Sequence, residues 1–76
     1  MKIYKIQNKQ GLFSNGGSNP KFTKRGKTWG EKRHIKSHLS MMRGYKLLDI
    51  YKDCHVVEYI ISDPPNEITI EDFMET

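Results

Sequence analysis

One run restricts the architecture of this chain more than any other, Val56-Val57-Glu58-Tyr59-Ile60-Ile61. Side chains on a strand alternate between its two faces, and this run is apolar on both except at Glu58. It therefore belongs in the interior of a sheet. Pro64-Pro65 stops it. Other segments supply neighbours for that strand. Lys2–Asn8 is rich in β-branched and aromatic residues and reads as a strand. Lys9-Gln10-Gly11 can turn it back into Leu12-Phe13-Ser14, with Gly11 free to take positive φ. Asn15-Gly16-Gly17-Ser18-Asn19-Pro20 is a loop, and Thr23-Lys24-Arg25-Gly26 reads as a tight basic turn between two short strands. Tyr45–Tyr51 reads as a further strand, with Lys52-Asp53 at a hairpin position before Cys54–Ser62.

A helix is predicted between the two β regions. Thr28 and Glu31 have capping-box spacing, so Thr28 is the expected N-cap. Ile35, Leu39 and Met42 then recur at i, i+4 and i+7 and form one apolar stripe. Gly44 is the expected C′ residue, which gives a helix over Thr28–Arg43. Near the end of the chain, Thr69 and Asp72 repeat the T-x-x-D spacing. Ile70–Glu75 either forms one short helical turn there or frays, leaving a mobile tail from about residue 64.

These segments predict an α+β fold, a small antiparallel sheet packed against one main helix, in a single small domain over residues 1–76. Only 36% of the residues are hydrophobic, so the core must be small. The expected core is Ile3, Ile6, Leu12, Phe13, Phe22, Trp29, Ile35, Leu39, Met42, Leu47, Ile50, Val57, Tyr59 and Ile61. Trp29 is placed there because so small a domain needs its largest apolar side chain. The single cysteine, Cys54, makes no internal disulfide, which suits a reducing compartment. Met1-Lys2 is followed by no apolar h-region, and no apolar run is long enough to span a bilayer. The expectation is a soluble intracellular protein with no membrane partner.

Charge divides the chain in two. Residues 1–46 hold twelve Lys and Arg against one acid, Glu31, and residues 47–76 hold eight acids against one base, Lys52. The formal net charge of +4 hides a basic half and an acidic half. Seven cations crowd into Lys21–Lys36, namely Lys21, Lys24, Arg25, Lys27, Lys32, Arg33 and Lys36, with Phe22, Trp29, His34 and His38 among them. Flexible cations of this density suit phosphates, because each neutralised phosphate releases counterions. The same face also suits an acidic protein partner. Asp63, Glu67, Glu71, Asp72 and Glu75 can dock on a basic surface or simply neutralise the basic face, and proximity in the fold decides between these.

Other constellations point less far. His34 and His38 share a helix face, and Cys54 or His55 can be imagined as a third metal ligand, but no acid stands between the two histidines to act as a base. The plainer expectation is a half-buried, hydrogen-bonded His38, an exposed His34 and no metal. Cys54 and His55 are strand neighbours that point to opposite faces, so they do not form a nucleophile and base. The Gly16-Gly17 loop lacks the strand–loop–helix setting and the Lys-Ser/Thr ending of a phosphate-binding P-loop.

Two resemblances carry information. The pattern Tyr4-x-Ile6-x-Asn8-Lys9, Gly11-Leu12-Phe13-Ser14, Gly16-Gly17, Pro20-x-Phe22, Gly26-Lys27-x-Trp29, His38-Leu39 and Tyr51-Lys52-Asp53-Cys54-x-Val56-Val57-Glu58 resembles small uncharacterised proteins of tailed bacteriophages, including T4-like ones, over roughly residues 3–59. That resemblance implies a viral protein acting in the host cytoplasm on host or phage macromolecules, and it carries over no catalytic residue. Lys2-Ile3-Tyr4-Lys5-Ile6-Gln7-Asn8 also resembles the opening motif of GIY-YIG nucleases, and Arg33 stands where such nucleases use a helix arginine. The second tyrosine of that motif is absent, since the next element reads Leu12-Phe13-Ser14. The resulting expectation is a non-catalytic accessory protein that binds nucleic acid through the seven cations, with no cofactor. The alternative from another class is a protein–protein effector that blocks a host enzyme or defence complex. A nuclease of the GIY-YIG kind is the third reading.

Overall fold

The computed structural model describes residues 2–60 and 66–75. They form an α+β fold with five antiparallel strands, one main helix and one short C-terminal helix. The strands are β1 (Lys2–Gln7), β2 (Phe13–Ser14), β3 (Phe22–Thr23), β4 (His55–Ile60) and β5 (Asn66–Thr69), and the helices are α1 (Lys32–Gly44) and α2 (Ile70–Glu75). Across the sheet the order is β3-β2-β1-β4-β5. No helix among the described residues is long and apolar enough to cross a membrane.

β1 is the central strand and pairs with β4 from Lys2 opposite Ile60 to Gln7 opposite His55. Residues directly opposite in an antiparallel pair share a face, so this register sorts the side chains. Tyr4, Ile6, Val56 and Glu58 point to the inner face, and Ile3, Lys5, Val57 and Tyr59 to the outer one. The inner face meets the Ile35, Leu39 and Met42 stripe of α1, and all three of those residues are fully buried. β4 lies between β1 and β5, the interior position its composition requires. Asn8 shapes the β1–β2 turn, its Oδ1 accepting from the Gln10 and Leu12 N–H groups, with Gly11 at φ 83.

Several elements differ from the sequence expectation. α1 begins at Lys32, not after Thr28. The reason is Trp29, whose N–H and C=O both bond to Tyr4 in a one-residue antiparallel bridge, holding the chain extended where the helix was expected to start. That bridge replaces the second strand expected after the basic turn. Glu31 is the N-cap residue and makes no side-chain cap, because Arg33 takes its carboxylate. At the other end Gly44 is still helical, and the left-handed position falls to Lys46 at φ 60. The Lys46 N–H bonds to the Arg43 carbonyl and the Leu47 N–H to the Met42 carbonyl, a Schellman ending without its usual glycine.

Tyr45–Tyr51 is not a strand. Its second half is a single 3₁₀ turn, Leu48–Tyr51, which drives Tyr51 into the core. Lys52-Asp53 therefore follows a helical turn and is no hairpin. Asn66–Thr69 pairs with His55–Glu58, and α2 starts with the Asp72 N–H on the Thr69 Oγ1, as the T-x-x-D spacing foresees. Phe73 of α2 is buried against Tyr4, with ring centroids 5.6 Å apart.

The core is accordingly Tyr4, Ile6, Trp29, Ile35, Leu39, Met42, Tyr51, Val56 and Phe73. Ile50, expected inside, is 39% exposed because the 3₁₀ turn points it outward. Phe13 and Tyr59, also expected inside, are half-buried on the outer face, where the register puts them. Ile61 and Pro64-Pro65 lie outside the described residues.

Candidate nucleic-acid interface

The basic turn is built on a fixed frame. β3 pairs with β2, Phe13 opposite Thr23 and Ser14 opposite Phe22. Thr23 Oγ1 accepts from the Gly26 N–H at 2.9 Å and donates to Asn15 Oδ1 at 3.2 Å, which closes the turn over Lys24 and Arg25. Gly26, at φ 63, lies against β2 so closely that an added Cβ would stand 2.9 Å from the Phe13 carbonyl carbon and oxygen. The Lys27 N–H then bonds to the Ser14 carbonyl at 2.8 Å, and the Asn15 N–H to the Lys21 carbonyl at 2.8 Å. The glycine loop is packed as well. Gly16 is buried, and a Cβ there would meet Lys27 Cδ at 3.1 Å and the Trp29 ring at 3.3 Å.

Four cations project from this frame into solvent. Lys21, Lys24, Arg25 and Lys27 are exposed, and among the described residues no carboxylate pairs with any of them. The Lys27 ammonium lies 5.3 Å from the Trp29 ring centroid, while the ring itself is buried. Lys5 joins the group from β1, since its Nζ donates to the Arg25 carbonyl at 2.7 Å and lies over the Phe13 ring. The sequence places Lys5 only on the predicted strand Lys2–Asn8. Alternation along β1 puts it on the face opposite Tyr4 and Ile6, but its partner depends on where the turn folds back.

The helix cations are placed differently, so the seven do not form one face. Lys32 lies over the Phe73 ring of α2 at 5.6 Å, Arg33 is paired with Glu31, and Lys36 is half-buried. This end of α1 therefore adjoins the acidic α2, which carries Glu71 and Asp72 in its first turn.

Behind the basic turn is a buried polar chain, of which only the half-buried His38 is foreseen from the sequence. Tyr51 Oη is 2.7 Å from Ser14 Oγ and 2.7 Å from His38 Nε2, and Ser14 Oγ also accepts from the Gly16 N–H at 3.0 Å. His38 is half-buried and hydrogen-bonded, and His34 is exposed beside Glu31. Burial pushes the Tyr51 phenol up to about 12, against the opposing pull of the Ser14 hydrogen bond. Burial, then the Lys27 charge, lowers the His38 imidazole below its usual 6.5. This chain ties the loop, α1 and the 3₁₀ turn together. No local signal in the sequence joins Ser14 to Tyr51.

The other candidate groups lie apart among the described residues. No three His, Cys, Asp or Glu side chains among the described residues are placed to hold a metal ion. Cys54 packs toward the core and burial raises its thiol, while His55 points the other way to Gln7 Oε1 at 3.0 Å. Tyr4 is 5% exposed, and burial, then the nearby Glu58 carboxylate, raises its phenol. A pocket of about 560 Å³ opens between the end of α1, the 3₁₀ turn and α2, with Arg43 and Lys52 set against Asp49 and Glu71 in its wall.

The sheet order sets the electrostatics of the whole. Lys21, Lys24 and Arg25 flank β3 at one edge, whereas Glu67 lies on β5 at the other, and α2 folds back onto Tyr4 of the central strand and Lys32 of α1. Four strand spacings separate these edges, roughly 19 Å at about 4.8 Å each. That is about twice the ~10 Å screening length at moderate salt. Glu67 is therefore screened from the β3 edge, while Asp53 of the acidic half pairs with Lys9 at 3.5 Å. Comparison with protein-family models, curated proteins and solved structures finds no match to this chain.

Proposed function

We propose that this protein binds nucleic acid, without chemistry on it, through the cations of the β3 edge. The observation that supports this reading most is the isolation of Lys21, Lys24, Arg25 and Lys27, which are exposed around the β3 edge and pair with no described carboxylate. The fixed backbone turn presents these exposed cations together, and each phosphate they neutralise releases counterions. Lys32, Arg33 and Lys36 contribute less, because α2 brings acids to that side.

The test is binding of a labelled oligonucleotide at rising salt. Log affinity is expected to fall linearly with log salt, with a slope of about −0.7 to −0.9 for each phosphate contacted. Replacing Lys24, Arg25 and Lys27 together by Ala should weaken every sequence alike and flatten that slope. Affinity indifferent to salt would overturn the reading. So would a variant that binds as tightly as the wild type.

A further inference from the structure

Both helices of this protein pack on one side of the sheet. α1 and α2 meet Tyr4, Ile6 and Val56 on the inner face, and among the described residues neither covers the outer one. The outer face carries Ile3, Val57 and Tyr59 toward one end, with Phe13 and Lys5 toward the β3 edge. Gln7 and His55 stand in the same row as Phe13, and Glu67 stands opposite Val57 with its carboxylate 3.8 Å from His55 Nε2. Val57 on this face is only 4% exposed and lies outside the core cluster.

We propose that this open face takes single-stranded nucleic acid, its bases stacking on Phe13 and Tyr59 and its phosphates following Lys5, Lys24 and Arg25. The inference rests on the nucleic-acid reading above and narrows it. Two arguments carry it. The first is placement. Phe13 shares the outer face with Tyr59, two strands away and four residues along. At about 4.8 Å per strand and 3.4 Å per residue, the two rings are rooted roughly 17 Å apart. Single-strand-binding domains commonly hold about 4–16 nucleotides, so a few nucleotides cross this distance. A duplex keeps its base faces stacked inside and has nothing to offer the rings.

The second argument is charge complementarity. The Lys5 ammonium lies 4.7 Å from the Phe13 ring centroid and is bonded to the Arg25 carbonyl, which fastens the basic turn to this same face. The contact shows that the Phe13 ring turns a face toward this side of the sheet. An arriving base replaces the ammonium over Phe13, and the displaced cation meets the phosphate that came with it. Lys24 and Arg25 continue the path at the edge. Acidic Glu67 stands beyond β4, paired with His55, and bounds the path on the other side.

The experiment compares oligo-dT with a duplex of the same length, using the whole chain. The wild type should bind the single strand at least about tenfold tighter, the effect of one stacked base. Tyr59→Leu and Phe13→Leu should each lose about that factor on the single strand, while duplex affinity and salt slope stay as they were. Melting curves confirm that the variants fold. Photo-cross-linking of iodouracil oligonucleotides to the wild type gives a second readout, and the adducts should map to Phe13 or Tyr59. Equal affinity for single strand and duplex, with a steep salt slope, would overturn the stacking face and leave the nucleic-acid reading standing. Absence of binding to either at low salt would overturn both. A dimer in sedimentation that Tyr59→Leu dissolves would mean that a second copy covers the face, and would overturn this proposal alone.

Discussion

At the scale of single residues, the least comfortable position is Lys46. It holds φ 60 at the end of α1, a conformation that costs a non-glycine residue about 1 kcal/mol or more. The hydrogen bonds around it are those of a glycine-terminated helix, and Leu47 packs against the core that holds Met42. Lys46→Gly should therefore stabilise the fold by roughly 0.5–1 kcal/mol, net of the extra freedom glycine has when unfolded. A melting temperature that stays put or drops would contradict this. His38 gives a second residue-scale prediction. The fold holds its imidazole below 6.5, so between that value and the lowered one the unfolded chain binds more protons. The contribution is fully present above 6.5 and is lost as pH falls through the lowered value. Urea midpoints followed from about pH 8 to 5 should decline on the acid side, and less so in His38→Gln, which carries no proton to gain. Identical slopes in the two proteins would show that His38 does not couple to folding.

At the scale of elements, the short α2 carries more than its length implies. Six residues make a marginal helix in isolation. What holds it is Phe73, buried to 1% between Tyr4 and the Lys32 side chain, together with the Thr69 cap. Phe73→Ala should cost about 3–5 kcal/mol. A domain of this size has only ~3–5 kcal/mol in all, so the variant should be largely unfolded at room temperature. A cooperative melt close to that of the wild type would mean that α2 is peripheral. α1 shows the opposite relation between local signal and outcome. Its capping box is intact in the sequence, yet the Trp29–Tyr4 bridge overrides it. Two backbone hydrogen bonds and a buried indole outweigh a single side-chain cap worth about 1 kcal/mol.

At the scale of the whole molecule, the charge split of the sequence becomes a charge split in space. Strand order contributes to it, because β3 and β5 take opposite edges, although Asp53 still pairs with Lys9. Glu71→Gln and Glu75→Gln should therefore change oligonucleotide affinity at physiological salt less than Lys24→Ala does, since screening acts over about 8–10 Å. If removing those acids strengthens binding as much as Lys24→Ala weakens it, the acidic end reaches the interface and the separation has no functional weight.

The sequence by itself determined what short-range physics controls. β-branched and aromatic composition marked β1, a run apolar on both faces marked β4, the i, i+4, i+7 spacing marked the buried face of α1, Gly11 marked its turn, and size alone sent Trp29 inside. Fold class, the interior place of β4 and the list of exposed cations on the β3 edge were legible for the same reason. Only the tertiary structure decided what depends on pairing between distant segments. Register turned Phe13 and Tyr59 outward and Tyr4 and Val56 inward, since a shift of one residue exchanges the faces of a strand. The Trp29 bridge moved the start of α1, and the bonds of Tyr51 to Ser14 and His38 accompany a 3₁₀ turn where a strand was expected. The seven cations divided into an edge group and a helix group because α2 folds back onto one of them, a contact between residues some forty positions apart that no local pattern encodes.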